Sequence, residues 1–205
     1  MRTITRSEVF KQYAIISAVI SDFQNLNYDE DYPEYNTDLD HLALGRNEAL
    51  YHKGFIFMLP HNDINTYTEA LSEKLEKLFK ALNVNEFVLM SVPNSNIIGD
   101  TTIIQPEFLK AQNYLQQFTK NENYNEAFNF DIKDLSLMIH AYFWLSRLDM
   151  SLPEQLLFFD SKQQFFFFIC KRGNIHLTVL DKNINLTNEV IKQNGFLPDA
   201  DIDQF

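Results

Sequence analysis

Apolar residues first recur at helical spacing near the N-terminus. Thr5 with Glu8 three residues on forms a capping box, and Val9, Tyr13, Ile16, Val19, Ile20 and Phe23 follow it, so residues 6–26 are expected to form one amphipathic helix. The periodicity then stops: residues 28–48 carry Pro33 and a run of carboxylates and read as a long exposed connection. Two compact apolar runs, GFIFML at 54–59 before Pro60 and EFVLMSV at 86–92 before Pro93, read as strands. Between them Thr66 and Glu69 make a second capping box ahead of a stripe of Tyr67, Leu71, Leu75, Leu78 and Leu82. A strand, a helix and a strand with short links suggest a crossover unit over 54–92 with parallel strands, with room for another strand between them.

Further on, the Gly-Asp pair in NIIGDTTIIQ, 96–105, is flanked by isoleucines and threonines and signals a hairpin. Pro106 suits the first turn of a helix whose face is Phe108, Ala111, Leu115 and Phe118, while 121–130 reads as a loop. Asp131 is expected to cap a helix running to Asp149 that is apolar nearly all round and therefore central. LLFFD (156–160), QFFFFIC (164–170) and IHLTVL (175–180), separated by SKQ and KRGN, form a meander. Phe165 to Phe168 break strict alternation, as expected of a middle strand packed on both faces. Thr187 starts a short last helix that Gly195 ends. No repeat or linker divides the chain, so the expectation over residues 1–205 is a single α+β domain, with a mixed or antiparallel sheet, a C-terminal three-stranded meander and four to five helices.

Composition sharpens this picture. Nineteen phenylalanines and nine tyrosines against one tryptophan mark an aromatic interior. Seventeen basic and 28 acidic residues give a formal net charge of -11, a field that repels nucleic acid phosphates and anionic lipid and favours cationic partners. A single cysteine rules out an internal disulfide and fits a reducing compartment. The N-terminal apolar run is interrupted by Glu8, Lys11 and Gln12 and ended by Asp22, so it reads as a helix of the fold and not a leader. With no stretch of about 18 apolar residues, a cytoplasmic protein that does not engage membrane is expected.

Signals for chemistry are sparse. None of His41, His52, His61, His140 and His176 pairs with another at i to i+4, and no metal site is expected. Cys170 and His176 flank the KRGN turn, and their relation depends on register. A two-residue loop sets Lys171 opposite His176; a three-residue loop sets Phe168 there and leaves Cys170 a diagonal neighbour. Neither register supplies an orienting third group. The five glycines lack the spacing of a phosphate cradle, and no GxSxG elbow exists. Asp199, Asp201 and Asp203 resemble the start of a calcium loop, but Phe205 ends the chain before the remaining ligands. No catalytic residue and no cofactor is implied.

One stretch is different in kind. YDEDYPEYNTDLD, 28–40, sets Tyr28, Tyr32 and Tyr35 among Asp29, Glu30, Asp31, Glu34, Asp38 and Asp40, with no lysine or arginine between them. No apolar periodicity demands these tyrosines, and tyrosine anchors interfaces at low entropic cost. Carboxylates around such anchors speed the arrival of a cationic partner. These nine residues are the expected partner-binding set of an acidic cytoplasmic protein-binding module. The concrete expectation is an immunity-type inhibitor that occludes a basic toxin domain such as a nuclease, by analogy with acidic inhibitors of basic nucleases. The alternatives are an enzyme or small-ligand protein with a cleft between the crossover helix and the C-terminal sheet, and a subunit of an oligomer.

Overall fold

The sheet is assembled from hairpins and one long return, and every neighbouring pair of strands is antiparallel. The computed structural model describes residues 1–31, 36–42 and 50–199. In chain order these hold β1 (Arg2–Ile4), α1 (Arg6–Gln12), α2 (Ala14–Asn27), β2 (Lys53–Met58), α3 (Ile64–Ala81), β3 (Glu86–Ser91), α4 (Pro106–Thr119), β4 (Ala127–Asp131), α5 (Leu135–Leu148), β5 (Leu156–Asp160), β6 (Phe165–Ile169), β7 (Ile175–Val179), α6 (Asn188–Gln193) and β8 (Leu197–Pro198). The eight strands lie in the order β1-β4-β3-β5-β6-β7-β2-β8. The α+β class, the antiparallel sheet and the C-terminal meander are as expected. Both edge strands are very short, which leaves few open ladder groups for another chain to pair with.

Each face of this sheet carries its own core. Phe57, Phe87, Phe128, Phe158, Phe165, Phe167 and Leu177 point to the larger one, which α3, α4, α5 and α6 cover. Val88, Met90, Leu157, Phe159 and Phe166 point to the smaller one, together with Val9, Ile16, Val19 and Ile20 of α1 and α2. The run of phenylalanines in β6 follows from this: Phe165 and Phe167 meet Phe79 of α3 at ring-centroid distances of 5.3 and 5.0 Å, while Phe166 meets Phe23 of α2 at 5.9 Å. α5 lies between α3 and α4, as its apolar circumference requires.

Several expectations are corrected. β2 and β3 run the same way but are not neighbours, because β5, β6 and β7 lie between them. The N-terminal helix keeps its capping box but breaks at Tyr13, where φ is -125° and ψ is 87°. Tertiary contacts stabilise the break: Gln163 Oε1, from the turn after β5, accepts from Ile15 N at 2.8 Å, and the Ser17 hydroxyl donates to Phe10 O at 3.0 Å. The N-cap of α3 is Asp63, whose carboxylate accepts from Asn65 N at 3.0 Å, so Thr66 and Glu69 lie inside the helix.

Residues 96–105 form turns and not a hairpin. Ile97 and Ile98 are buried, and Gly99 sits at φ +90° so close to Phe108 that an added Cβ would lie 2.6 Å from the ring. Asp149 Oδ2 accepts from Asp100 N at 2.7 Å and holds that turn. The end of the expected loop at 121–130 is instead β4, paired on both sides. Asp131 precedes a 3₁₀ turn without capping it, and α5 begins at Leu135. The last helix is capped by Thr187, whose hydroxyl accepts from Val190 N at 3.3 Å, and Gly195 follows it at φ +89°.

Two buried tyrosines separate hydrogen bonding from mere burial. Tyr67 donates to Gly173 O at 2.6 Å and fixes the turn between β6 and β7. The Tyr142 hydroxyl has no partner among the described residues, and burial raises its phenol well above the ordinary range. Replacing Tyr67 by Phe is expected to lower stability by about 1 to 3 kcal/mol, since a buried carbonyl loses its donor. Tyr142→Phe is expected to leave stability unchanged or raise it slightly, because only an unsatisfied hydroxyl is removed. Urea denaturation of both variants checks this, and equal losses would contradict it.

Candidate partner-binding site

The acidic stretch leaves the end of α2 and is pinned at three places. The Asn36 side chain, itself buried, donates to Asp29 O at 2.7 Å and accepts from Asp29 N at 3.0 Å. Asn36 is therefore held against Asp29. Asp38 O then accepts from Asn94 N at 2.6 Å, just beyond β3. Two residues later the Asp40 carboxylate enters a buried ion pair with Arg6 of α1.

Arg6 is only 4% exposed, and its guanidinium is saturated. Nε donates to Asp40 Oδ1 at 2.9 Å, one terminal nitrogen donates to Ser91 O at 2.9 Å, and the other donates to Asp40 and to Val92 O at 3.1 Å. Gln24 of α2 completes the network: its amide donates to Asp40 Oδ2 at 2.7 Å and Val92 O at 2.7 Å, and its carbonyl accepts from Asp40 N at 3.0 Å. One side chain thus joins α1, the end of β3 and the end of the acidic stretch. An open cleft of about 540 Å³ lies over the pair, with Lys11 and Glu126 on its walls, so its charge is mixed.

These anchors divide the expected set. Asp40 is engaged by Arg6 and Gln24 and anchors the end of the stretch. Asp29 is half-buried, and its Oδ1 accepts from Asp31 N at 2.9 Å. Glu30, Asp31 and Asp38 are exposed and form no ion pair among the described residues. Tyr28 is 50% exposed, and Leu26 beside it on α2 is 65% exposed. Tyr32, Glu34 and Tyr35 lie outside the described residues, as do Asp201 and Asp203.

Arg6, Gln24 and Asn36 escaped the sequence reading. Arg6 and Gln24 are in phase with the apolar stripe of the N-terminal helix, three residues before Val9 and four after Ile20. A polar residue on a buried helix face is the signal that marks such an anchor.

The other candidates come apart. Phe168 pairs with His176 across the β6–β7 ladder, as the three-residue loop requires, and the two rings stack 4.6 Å apart at 8°. His176 makes no hydrogen bond to a described residue, so no Cys-His pair forms. Between α3 and the C-terminal strands the expected cleft is filled by Phe79, Phe165 and Phe167. Among the described residues no group of three or more His, Cys, Asp or Glu is placed to hold a metal ion, and no helix is long and apolar enough to cross a membrane. Comparison with protein-family models, curated proteins and solved structures finds no match to this chain.

Two measurements follow. Arg6→Ala is expected to cost roughly 3 to 5 kcal/mol, because it strands a buried carboxylate; Arg6→Met with Asp40→Leu is expected to cost much less than the sum of the single changes. Additive losses in chemical denaturation would contradict the coupling. His140 and His176 both have pKa values lowered from 6.5 by burial, with Lys110 adding to the effect at His140. The unfolded chain takes up these protons first, so their contribution to stability is present above about pH 6.5 and is lost as pH falls through the folded-state values. The His140→Gln, His176→Gln double variant is expected to show a flatter melting temperature between about pH 7 and pH 5.5. An unchanged slope would contradict it.

Proposed function

We propose that this chain is an acidic protein-binding module whose partner is a cationic protein surface, and that its action is occlusion. The observation that supports this reading is the pinned acidic stretch: two Asn36 hydrogen bonds and the Arg6–Asp40–Gln24 network hold its ends, while Glu30, Asp31 and Asp38 stay exposed beside Tyr28 and Leu26. Fixing the ends lowers the ordering cost of binding, exposed carboxylates accelerate encounter, and an aromatic with an aliphatic neighbour supplies contact area once docked. The specific form of the proposal is an immunity-type inhibitor acting in the cytoplasm on a basic toxin domain, with a nuclease as the leading case. Its carboxylates would occupy positions that such an enzyme reserves for phosphates.

The test is kinetic. A cationic protein captured on the immobilised chain is passed over wild type and over the Glu30→Gln, Asp31→Asn, Asp38→Asn variant at low and at physiological salt. Association with wild type is expected to slow steeply as salt rises. The variant is expected to associate about tenfold more slowly at low salt, with little change in dissociation. Equal association rates for the two proteins would remove the loop from the interface.

A further inference from the structure

A cavity on the opposite side of the sheet touches neither the acidic stretch nor its anchor. α4 and α5 pack side by side there, and at their meeting point each contributes a buried alanine, Ala111 and Ala141. Two alanines leave a gap that longer side chains would fill, and a cavity of about 380 Å³ opens above them. Lys110, Asn113, Tyr114 and Gln117 recur at i, i+3, i+4 and i+7 along α4, while Leu137, His140 and Ala141 do so along α5. The cavity is therefore the trough between two helical stripes, walled by Tyr114 and Leu137. Leu137 is 50% exposed at its lip, an apolar side chain left facing water.

The polar groups of the trough are few and specific. Lys110 is exposed at the mouth and forms no ion pair among the described residues, in a chain of formal net charge -11. His140 is wedged in place with Nδ1 3.0 Å from Thr68 Oγ1. Its Nε2 is shut off from solvent and lies 3.5 Å from Glu107 Oε2 without making a hydrogen bond. An apolar floor and one unpaired cation at the lip make a site for a molecule with an oily body and an anionic head.

We propose that the α4–α5 trough binds a small amphiphilic carboxylate. Its aliphatic or aromatic body lies over Ala111 and Ala141 against Tyr114 and Leu137, and its carboxylate lies on Lys110. A body of about ten non-hydrogen atoms matches the lower end of ligand-binding cavities. Contact with an exposed lysine adds little beyond orientation, so the affinity is modest, with dissociation constants of roughly 0.1 to 1 mM. This site stands independently of the partner-binding reading.

Trp144, the chain's single tryptophan, lies on α5 seven residues after Leu137 and three after Ala141, on the same stripe one turn beyond the trough. Its fluorescence is followed while the intact protein is titrated with octanoate, octanol and octylamine. Octanoate is expected to give a saturable change, with octanol weaker and octylamine weakest. Lys110→Gln is expected to weaken octanoate about three- to fivefold and leave octanol unchanged, whereas Lys110→Arg retains octanoate binding. Leu137→Asp, at an exposed position that does not endanger folding, is expected to weaken octanoate about tenfold or more by removing a wall and adding like charge. Octylamine or octanol binding as tightly as octanoate overturns the proposal. So does octanoate affinity that is equal in wild type, Lys110→Gln and Leu137→Asp, or the absence of a saturable change up to about 10 mM.

Discussion

One buried guanidinium sets the relation between the two helices at the N-terminus, the central sheet and the acidic stretch. Arg6 spends its donors on Asp40 and on the adjacent carbonyls of Ser91 and Val92, two segments that are far from it and from each other in sequence. Lysine has no planar fork to serve them together, and a neutral side chain would leave Asp40 charged and out of water. Gln24 satisfies what Arg6 leaves: it bonds the same carboxylate, the same Val92 carbonyl and the Asp40 amide. A fully satisfied buried network of this kind specifies a geometry more than it adds stability, and here the geometry is the exit and return of the acidic stretch.

The sheet makes this possible by being covered on both sides. The larger core, under α3 to α6, is rich in phenylalanine and supplies most of the buried apolar surface. The smaller core, under α1 and α2, is just enough to seat two short helices, and these carry Arg6 and Gln24 to the end of β3. The larger layer therefore backs a small one that carries the anchors of the acidic stretch. Functional loops are commonly presented in this way, on a scaffold that does not itself take part.

What was legible in the sequence was local. The Thr5–Glu8 box, Pro106 at the start of α4, the all-round apolarity of α5 and the double-faced phenylalanines of β6 all act within a few residues, and all are found where they were expected. What was hidden depended on partners far along the chain. Tyr13 ends α1 because Gln163 and Ser17 satisfy the broken turn. β4 was masked by its Asn-rich approach, although Tyr124, Phe128 and Phe130 already alternate. The Gly-Asp pair at 99–100 has the composition of a hairpin turn, yet burial of Ile97 and Ile98 and the Asp149 carboxylate make it a core-lining loop. Within the site, carboxylates could be counted from the sequence, but their fates could not. Asp40 differs from Asp38 only in meeting a helix residue 34 positions away.

The acidic stretch as a rigidly held surface stands or falls on whether its anchors are closed in solution, and amide hydrogen exchange reads this directly. The Asp40 amide is bonded to Gln24 Oε1 and the Asn94 amide to Asp38 O, so both should exchange as slowly as amides in β3. In Gln24→Ala both should lose protection, while the β5–β6 hairpin keeps its own. Exchange of both amides at the rate of an unstructured loop in the wild-type protein would contradict a stretch held by Arg6, Asp40 and Gln24.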